Sequence, residues 1–319
     1  FWSIPMSTKR PNILVLMSDQ QRYDTVSAYG LNDICRTPNI DGLAENGVLF
    51  NHAFTPTAIC SPARASFYTG LYPHKHGVTA NSLNINEGVR GINDYLGEAG
   101  YVSGYAGKWH ADHSRGPSDL GFTGKDFMGY AFPGSKVLPG LQFGAGPLNK
   151  PNHYEEYLKE NGFAIPQVTE RFSGKNPPTS RQEMYARHDG PVETSIEYFV
   201  AEETIRVMKE ISDGDQPFFL WANFWGPHTP CLVPEPYFSM YDPASIPEHP
   251  SYCETFDRKP HVQKQITKMW GLEPYGWEGF QQIAARYYGY STLIDDMVGR
   301  VLDALTRLGL MDDTVVVYT

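Results

Sequence analysis

The sequence has few cysteines for its 319 residues and no regular spacing among them. Cys35, Cys60, Cys231 and Cys253 are too few for a disulfide framework, and they lack the paired spacing of a zinc or iron–sulfur site. A Cys231–Cys253 disulfide is an alternative, but reduced thiols are favoured. The chain is therefore expected to fold around an apolar core.

The sequence also lacks long apolar runs and an excess of positive charge. No segment approaches the length of a membrane span, and residues 1–10 lack the apolar core of a secretory signal. These absences predict a cytoplasmic protein without a membrane partner, or a periplasmic or secreted one if the N-terminus has been trimmed. Residues 1–5 are interpreted as an addition before a natural start at Met6. A net charge of −10 argues against nucleic acid as a partner.

Apolar segments of strand length alternate with helical patterns along the chain, and the composition is 41% hydrophobic. The four apolar segments are residues 12–17, 101–107, 217–224 and 314–318. Continuous apolar strands separated by helices predict an α/β fold with a mostly parallel central sheet flanked by helices. Three of these strands deliver polar residues to one edge, which is where ligands bind in such sheets.

Helix and loop signals fill the intervals between these strands. Helices are predicted near residues 37–47, 61–70, 92–98, 154–161, 193–212 and 281–308, and residues 48–50 are predicted as a short strand. Residues 70–77 read as a loop. Apart from one helix, residues 130–191 read as an irregular insertion, which is typical of a substrate-selecting lid or pocket rim.

One cysteine lies at the start of a well-signalled helix. Ser61 is a good N-cap, Pro62 suits the first turn, and Gly70 suits the C-terminal end, which would leave Cys60 just outside the helix. Free backbone N–H groups and the fixed charge of Arg64 would favour an anion there. The alternative is a small buried cysteine with no chemical role.

Polar side chains follow three of the strands. Asp19 and Gln20 offer oxygen ligands that suit a hard cation such as Ca²⁺, Mg²⁺ or Mn²⁺, although a turn-capping aspartate would look the same. Lys108 and His110 follow the second strand and would otherwise be surface residues. His228 lies between two prolines after the third strand, which suits a positioned acid.

Two further groups of titratable residues are not assigned to the site. His74 and His76 lie in a loop without carboxylates, so a metal site there is disfavoured. Asp295 and Asp296 are successive residues of a helix and point apart, so they are interpreted as a solvated or structural pair.

The segment Cys60-Ser-Pro62-Ala-Arg64 resembles the signature of the type I sulfatases, which are alkaline-phosphatase-like hydrolases. Residues 37–47, 107–110 and 227–230 resemble further landmarks of that family in the same order. The resemblance implies that a formylglycine-generating enzyme oxidises Cys60 to formylglycine. It also implies one divalent cation bound by Asp19, Gln20 and residue 60. Ca²⁺ is the first choice for this cation, with Mn²⁺ and Mg²⁺ as alternatives. Gln20 departs from the Asp of many members and resembles the branch with choline sulfatases and phosphonate monoester hydrolases.

The same resemblance implies a mechanism for hydrolysis of a small-molecule or saccharide sulfate ester. The formylglycine hydrate at position 60 would attack sulfur with help from Arg64, while Lys108 holds the sulfate oxygens. His228 would protonate the departing alkoxide, and His110 would act as the base that releases sulfate. Alternatives are a phosphonate monoester or phosphodiester hydrolase on the same scaffold, or a non-catalytic fragment. A homo-oligomer stays open.

Residues 1–319 are interpreted as the N-terminal catalytic domain of this family, incomplete at its C-terminus. In the proteins it resembles, the strand matching residues 314–318 is followed by a Ser-Asp-His-Gly or Ser-Asp-Asn-Gly type segment with two more metal ligands. We therefore expect Asp followed by His or Asn shortly after Thr319.

Overall fold

Five strands form the main sheet, and every pairing that they make is parallel. In the computed structural model, which describes residues 10–127, 153–173, 183–270 and 275–319, their order is β3-β2-β6-β1-β8. They span Asn12–Met17 (β1), Val102–Lys108 (β2), Asp126–Phe127 (β3), Phe218–Asn223 (β6) and Thr314–Tyr318 (β8). The predicted parallel sheet is confirmed, with β3 as a short addition.

A second sheet lies in the segment that was predicted to be irregular. It has the order β4-β5-β7 and consists of Gln167–Ser173 (β4), Glu183–Asp189 (β5) and Cys231–Pro234 (β7). The prediction for residues 130–191 is therefore wrong in the described part. Local composition missed these strands because β5 pairs with β7, more than 40 residues further along the chain. Residues 128–152 and 174–182 lie outside the described residues, so the lid prediction is not addressed there.

Helices cover both faces of the main sheet. The α-helices of the described ranges span Pro38–Glu45 (α1), Cys60–Thr69 (α2), Pro73–His76 (α3), Ile92–Glu98 (α4), His153–Glu160 (α5), Ile196–Ser212 (α6), His261–Trp270 (α7) and Gly276–Arg307 (α8). Short 3₁₀ turns lie at Tyr23–Thr25, Ser27–Tyr29, Pro117–Leu120, Val192–Thr194, Pro243–Ser245 and Met311–Asp313. None of the helices in these ranges combines the length and the apolar character needed to cross a membrane.

The two faces of the main sheet are packed differently because successive strand residues point to opposite sides. On β6, Leu220 packs into a largely aliphatic core together with α6 and α8. Trp221, one residue on, packs instead into an aromatic cluster. The other large aromatic residues of that cluster are Tyr68, Tyr105, Trp109, Phe122 and Phe219. This cluster packs between the sheet and α2, so it fixes the position of α2 relative to the edge of the sheet.

Two local predictions are wrong. Residues 48–50 form no strand; Val48 is 76% exposed, and these residues pair with none of the described strands. Residues 70–77 contain the short helix α3. Cys231, which is buried, and Cys253, which is exposed, are both free, in agreement with the reduced thiols favoured from the sequence.

Candidate active site

Helix α2 places Cys60 at the carboxyl edge of the main sheet. Cys60 is the first residue of the helix and Ile59 is its N-cap, so the prediction that Ser61 caps the helix is wrong. The Ser61 N–H instead donates to Asn81 Oδ1 at 3.1 Å. Gly70 ends the helix with φ 70°, in the left-handed region, as predicted. Cys60 therefore lies in the first turn, where backbone N–H groups lack intrahelical acceptors.

Asp19, at the end of β1, is the carboxylate around which the site is built. It is 6% exposed, and its Oδ2 lies 2.9 Å from Arg64 Nη2 and 2.8 Å from Lys108 Nζ. Its Oδ1 lies 3.8 Å from Cys60 Sγ. Burial alone would raise the pKa of Asp19, but attraction to Lys108 and Arg64 holds it well below the usual range. Asp19 is thus a buried carboxylate ion beside Cys60.

Arg64 is fixed by acceptors at the ends of three strands. Besides Asp19, its guanidinium donates to the backbone oxygen of Lys108 at 2.9 Å and to Asn223 Oδ1 at 2.6 Å. Asn223 is fully buried and ends β6. Sequence reasoning missed Asn223, although its position at a strand end is the signal that found Asp19 and Lys108. We call Asp19, Arg64, Lys108 and Asn223 the charge cluster.

Lys108 is 1% exposed, which is rare for a lysine and needs partners that replace water. Asp19 is one partner, and the face of the Trp225 ring, 4.2 Å from Nζ, is another. The two buried cations outnumber the single carboxylate of the charge cluster. The cluster therefore carries a surplus positive charge, which suits an anionic ligand.

His228 lies in the loop of residues 225–230, which follows β6. Its Nδ1 lies 2.5 Å from the Thr229 oxygen, so Nδ1 carries the proton in that contact and Nε2 is left for other chemistry. Burial and then repulsion from Lys108 lower the pKa of His228 to about 4. The ring is therefore neutral at pH 7 when no ligand is bound.

His110 lies two residues beyond Lys108 and is 8% exposed. It has φ 55°, a backbone conformation that is strained for a side chain of this size. Burial, with repulsion from Lys108 and Arg64, lowers its pKa to about 2. A neutral imidazole held among cations can accept a proton only when a nearby anion compensates for the charge.

The thiol of unmodified Cys60 is not activated. Burial raises its pKa, and the attraction of Lys108 and Arg64 does not overcome that effect. As a plain cysteine, residue 60 would be a poor nucleophile at neutral pH.

Three side chains at this edge could hold part of the coordination shell of a metal ion. Asp19, Cys60 and His228 each offer a ligand atom, and these atoms lie within 4.8 Å of one another. Gln20 is exposed, has φ 60°, and its side-chain oxygen accepts from the Thr229 N–H at 3.4 Å. A hard divalent cation prefers six or more oxygen ligands, and Asp19 is the single carboxylate of this donor group. The described residues therefore fit one side of a coordination shell.

The remaining titratable candidates are structural. His76 is fully buried, accepts from the Val78 N–H at Nδ1 and contacts Ser66 Oγ at 3.0 Å through Nε2, so both ring nitrogens are engaged. Asp295 is fully buried and accepts three hydrogen bonds from Asn39 and Ile40 at the start of α1. Neither residue is part of the site.

A surplus of buried positive charge beside a helix N-terminus, at the carboxyl edge of a parallel sheet, defines a binding site for a tetrahedral oxyanion. The sulfatase family model matches residues 11–319. The chain belongs to the sulfatase family, within the alkaline-phosphatase-like superfamily. Members of this family are hydrolases that generally use a metal ion and formylglycine.

Relatives and solved structures agree with this assignment. The chain is 26% identical to an uncharacterized sulfatase, YidJ, of Escherichia coli over 98% of its length, and 28% identical to the multifunctional alkaline phosphatase superfamily protein PehA of Trinickia caryophylli over 97%. It spans 56% and 62% of those two proteins. The crystal structure of a phosphonate monoester hydrolase of Agrobacterium radiobacter superposes with a TM-score of 0.71 at 25% identity, covering 97% of this chain and 62% of that one.

Proposed function

We propose that this chain contains the catalytic centre of a sulfuric ester hydrolase that cleaves a small-molecule or saccharide sulfate monoester. One observation carries the proposal: two buried cations, Lys108 and Arg64, converge on Asp19 directly beside Cys60. An ester oxyanion that entered this site would be attracted by fixed charges that need no rearrangement. Such preorganised charge is the main requirement for transferring a sulfuryl group.

Each cation has a separate part in this proposal. Lys108 would donate to the non-bridging oxygens of the sulfate, because its ammonium carries three donors on a flexible stem. Arg64 cannot turn in this way, since three acceptors hold its guanidinium. It therefore orients the group at position 60 and keeps Asp19 ionised.

Formylglycine at position 60 and a divalent cation, when present, would supply the nucleophile and additional positive charge at the reacting oxygens. Asp19, Gln20 and residue 60 would hold the cation, with Ca²⁺ in first place and Mn²⁺ or Mg²⁺ as alternatives. The raised pKa of the unmodified thiol agrees with a need for chemical conversion of Cys60, which a formylglycine-generating enzyme would perform.

His228 would act as the proton donor and His110 as the proton acceptor. His228 holds its Nδ1 proton on the Thr229 backbone oxygen, so a second proton on the ring would lie on Nε2, from which it would pass to the departing alkoxide and leave the ring neutral. The negative charge of a bound ester would raise its pKa toward the range where this transfer is efficient. His110 would accept a proton as the sulfate leaves residue 60.

A phosphonate monoester hydrolase is the second candidate. Gln20 stands where many sulfatases have Asp, and the relatedness to PehA and to the Agrobacterium enzyme supports this branch. Phosphonate monoesters and sulfate monoesters are tetrahedral anions of similar size, so the charge cluster suits both.

Two measurements test the proposal together. Mass analysis of the peptide around residue 60, after coexpression with a formylglycine-generating enzyme, is expected to show the aldehyde or its hydrate. Steady-state rates are then compared on aryl sulfates and on aryl phosphonates with the same leaving groups. A higher kcat/KM on the sulfates supports the first candidate, and a higher value on the phosphonates supports the second. Full activity with an intact thiol in every molecule would contradict both.

A further inference from the structure

Glu197 is a buried carboxyl group behind the site that the proposed mechanism does not use. It lies in the first turn of α6 and is 1% exposed. An acidic residue in a first helical turn is often explained by the helix dipole, but such a residue is normally solvated. Burying a carboxyl group is costly unless hydrogen bonds compensate for lost water. Its partners therefore indicate what it does.

The partners of Glu197 lie in two other elements. Its Oε1 accepts from the backbone N–H of Gly226 at 2.9 Å and from the hydroxyl of Tyr290, on α8, at 2.6 Å. The carbonyl of the same residue faces the site, because the Gly226 oxygen accepts from the backbone N–H of Asp19 at 3.0 Å. Gly226 is thus clamped between Glu197 and Asp19.

Glycine is required at position 226 by the close approach of an aromatic ring. A Cβ built on Gly226 would lie 2.5 Å from Cζ of Tyr290, a distance that real Cβ atoms do not adopt. Contacts with Tyr290 and Glu197 together therefore fix the position of the backbone at Gly226. Trp225, whose ring lies against Lys108, precedes it, and His228 follows two residues later.

We propose that Glu197 is a positioning residue that acts through the Gly226 peptide and aligns His228 with Asp19. This inference rests on the proposed function, because it assigns Glu197 a part in the proton transfer to the leaving group. A carbonyl acceptor at position 197 is sufficient for the role. Removing the acceptor lets the loop of residues 225–230 move, which separates His228 from the group it protonates.

The test compares variants of position 197 with a matched control. Glu197→Gln keeps a carbonyl acceptor, Glu197→Leu removes it at similar volume, and Tyr290→Phe removes one of the two donors to Oε1. Glu203→Leu is the control. Glu203 is a buried carboxylate on the same helix, 5% exposed, and it accepts from Lys125 N and Arg206 rather than from the loop.

Kinetics are measured on aryl esters whose leaving phenols range from acidic to weakly acidic. General acid catalysis contributes roughly 10²- to 10⁴-fold for poor leaving groups, so Glu197→Leu is expected to lower kcat by about 30- to 100-fold on the poorest and only a few-fold on the best. KM should change little. Glu197→Gln should return kcat to within about threefold of the parent, since the acceptor that Gly226 needs is kept. Tyr290→Phe should give a smaller loss in kcat with the same leaving-group dependence. If Glu197→Leu does not fold, Tyr290→Phe takes its place in the test.

A double-mutant cycle separates positioning from general destabilisation. In a His228→Ala background, Glu197→Leu should cost no more than about threefold, because its effect passes through His228. Three results would overturn the inference. The losses in kcat of Glu197→Leu and His228→Ala could multiply in the double variant, the loss of Glu197→Leu could be equal across the leaving-group series, or Glu203→Leu could give the same loss. The series can be made with sulfate or phosphonate esters. An enzyme that cleaves only phosphonates would thus refute the sulfatase proposal while the cycle still decides the role of Glu197.

Hydrogen exchange supplies a readout that does not depend on activity. The Gly226 amide donates to Glu197 in the parent protein, so Glu197→Leu should speed its exchange by at least about fivefold, since a lost hydrogen bond is worth about 1 kcal/mol. Glu203→Leu should leave that amide unchanged. Unchanged exchange at Gly226 in Glu197→Leu would overturn the inference even in an inactive preparation.

Discussion

The two halves of the site are held in place by different means. In the charge cluster, buried side chains hold one another: Arg64 and Lys108 share one oxygen of Asp19, and Asn223 accepts from Arg64. In the loop of residues 225–230, backbone groups make the contacts, through Gly226 and Thr229. Removing a side chain from the charge cluster therefore leaves a buried charge with fewer partners, whereas a change behind the loop alters geometry and leaves the charges intact.

The largest effect is expected for Cys60→Ala. Loss of a nucleophile typically costs roughly 10⁴-fold or more in kcat, so turnover of an aryl ester should fall below detection. Cys60 is a small, half-buried residue, so the melting temperature should change little. Cys253→Ala, which alters an exposed cysteine, is the matched control and should keep full activity. More than about 1% residual activity in Cys60→Ala would remove residue 60 from the mechanism.

Lys108→Met tests whether the charge cluster serves both activity and stability. Losing one preorganised donor should lower kcat/KM by about 10²- to 10³-fold. The free energy of unfolding should fall by about 2 kcal/mol, because Asp19 loses one of its two cations and keeps Arg64. Urea titration measures the second quantity. Lys125→Met, which removes a lysine that is partly exposed and lies 4.0 Å from Glu156, should change neither. Reduced activity with unchanged stability would show that the cluster is held by other groups.

Glu197→Gln tests the loop half through the pH dependence of stability. Burial raises the pKa of Glu197 to about 7, against hydrogen bonds from Tyr290 and Gly226 that lower it. Between about pH 4.5 and 7 the native state binds a proton that the unfolded chain releases, so the parent loses stability as pH rises through this window. A neutral glutamine has no such loss. Relative to the parent, the variant should therefore gain on the order of 2 kcal/mol between pH 5 and pH 8.

Denaturant titrations of both proteins at several pH values measure this difference. Glu203→Gln is the control, since Glu203 is a buried carboxylate of the same helix that pairs with Arg206 rather than with the loop. Parallel stability curves for the parent and Glu197→Gln would show that Glu197 keeps an ordinary pKa despite its burial.

Asn223→Ala should give the smallest effect of the four. It removes one of three acceptors of Arg64, and the other two remain. We expect about a tenfold loss in kcat/KM and about 1 kcal/mol in the free energy of unfolding. Asn93→Ala removes a buried asparagine whose amide donates to Leu120 O at 2.7 Å, and it should leave kcat/KM unchanged. A loss as large as that of Lys108→Met would show that Asn223 fixes the whole cluster.

Local patterns predicted the main sheet well because each strand is a continuous apolar run. The bounds of β1 and β8 match those predicted, and α4 matches as well. The rule that ligands gather at the carboxyl ends of parallel strands brought Asp19, Lys108 and His228 to one edge. The same rule applies to Asn223, but an asparagine at the end of a strand has no local feature that marks it as functional.

The missed features depend on distant partners. Glu197 reads as an ordinary first-turn acid until Gly226 and Tyr290, 29 and 93 residues away in sequence, surround it. Strands β4 and β5 are polar enough to read as loop; β4 pairs with β5, and β5 in turn pairs with the distant β7. The raised pKa of the Cys60 thiol has a similar origin, because burial of that thiol is set by the assembled site rather than by α2 alone.

The separation of Cys60 from Asn223 also has a consequence in time. The site around α2 is complete only after β6 has been synthesised, and β6 lies about 160 residues further along the chain. At a synthesis rate of about 5–20 residues per second, roughly 10 to 30 seconds pass between the appearance of the two segments. During that interval no Asn223 holds Arg64, and the formylglycine-generating enzyme of the proposal would meet Cys60 in an extended peptide. Slower translation between these segments should therefore raise the fraction of molecules that are converted at residue 60.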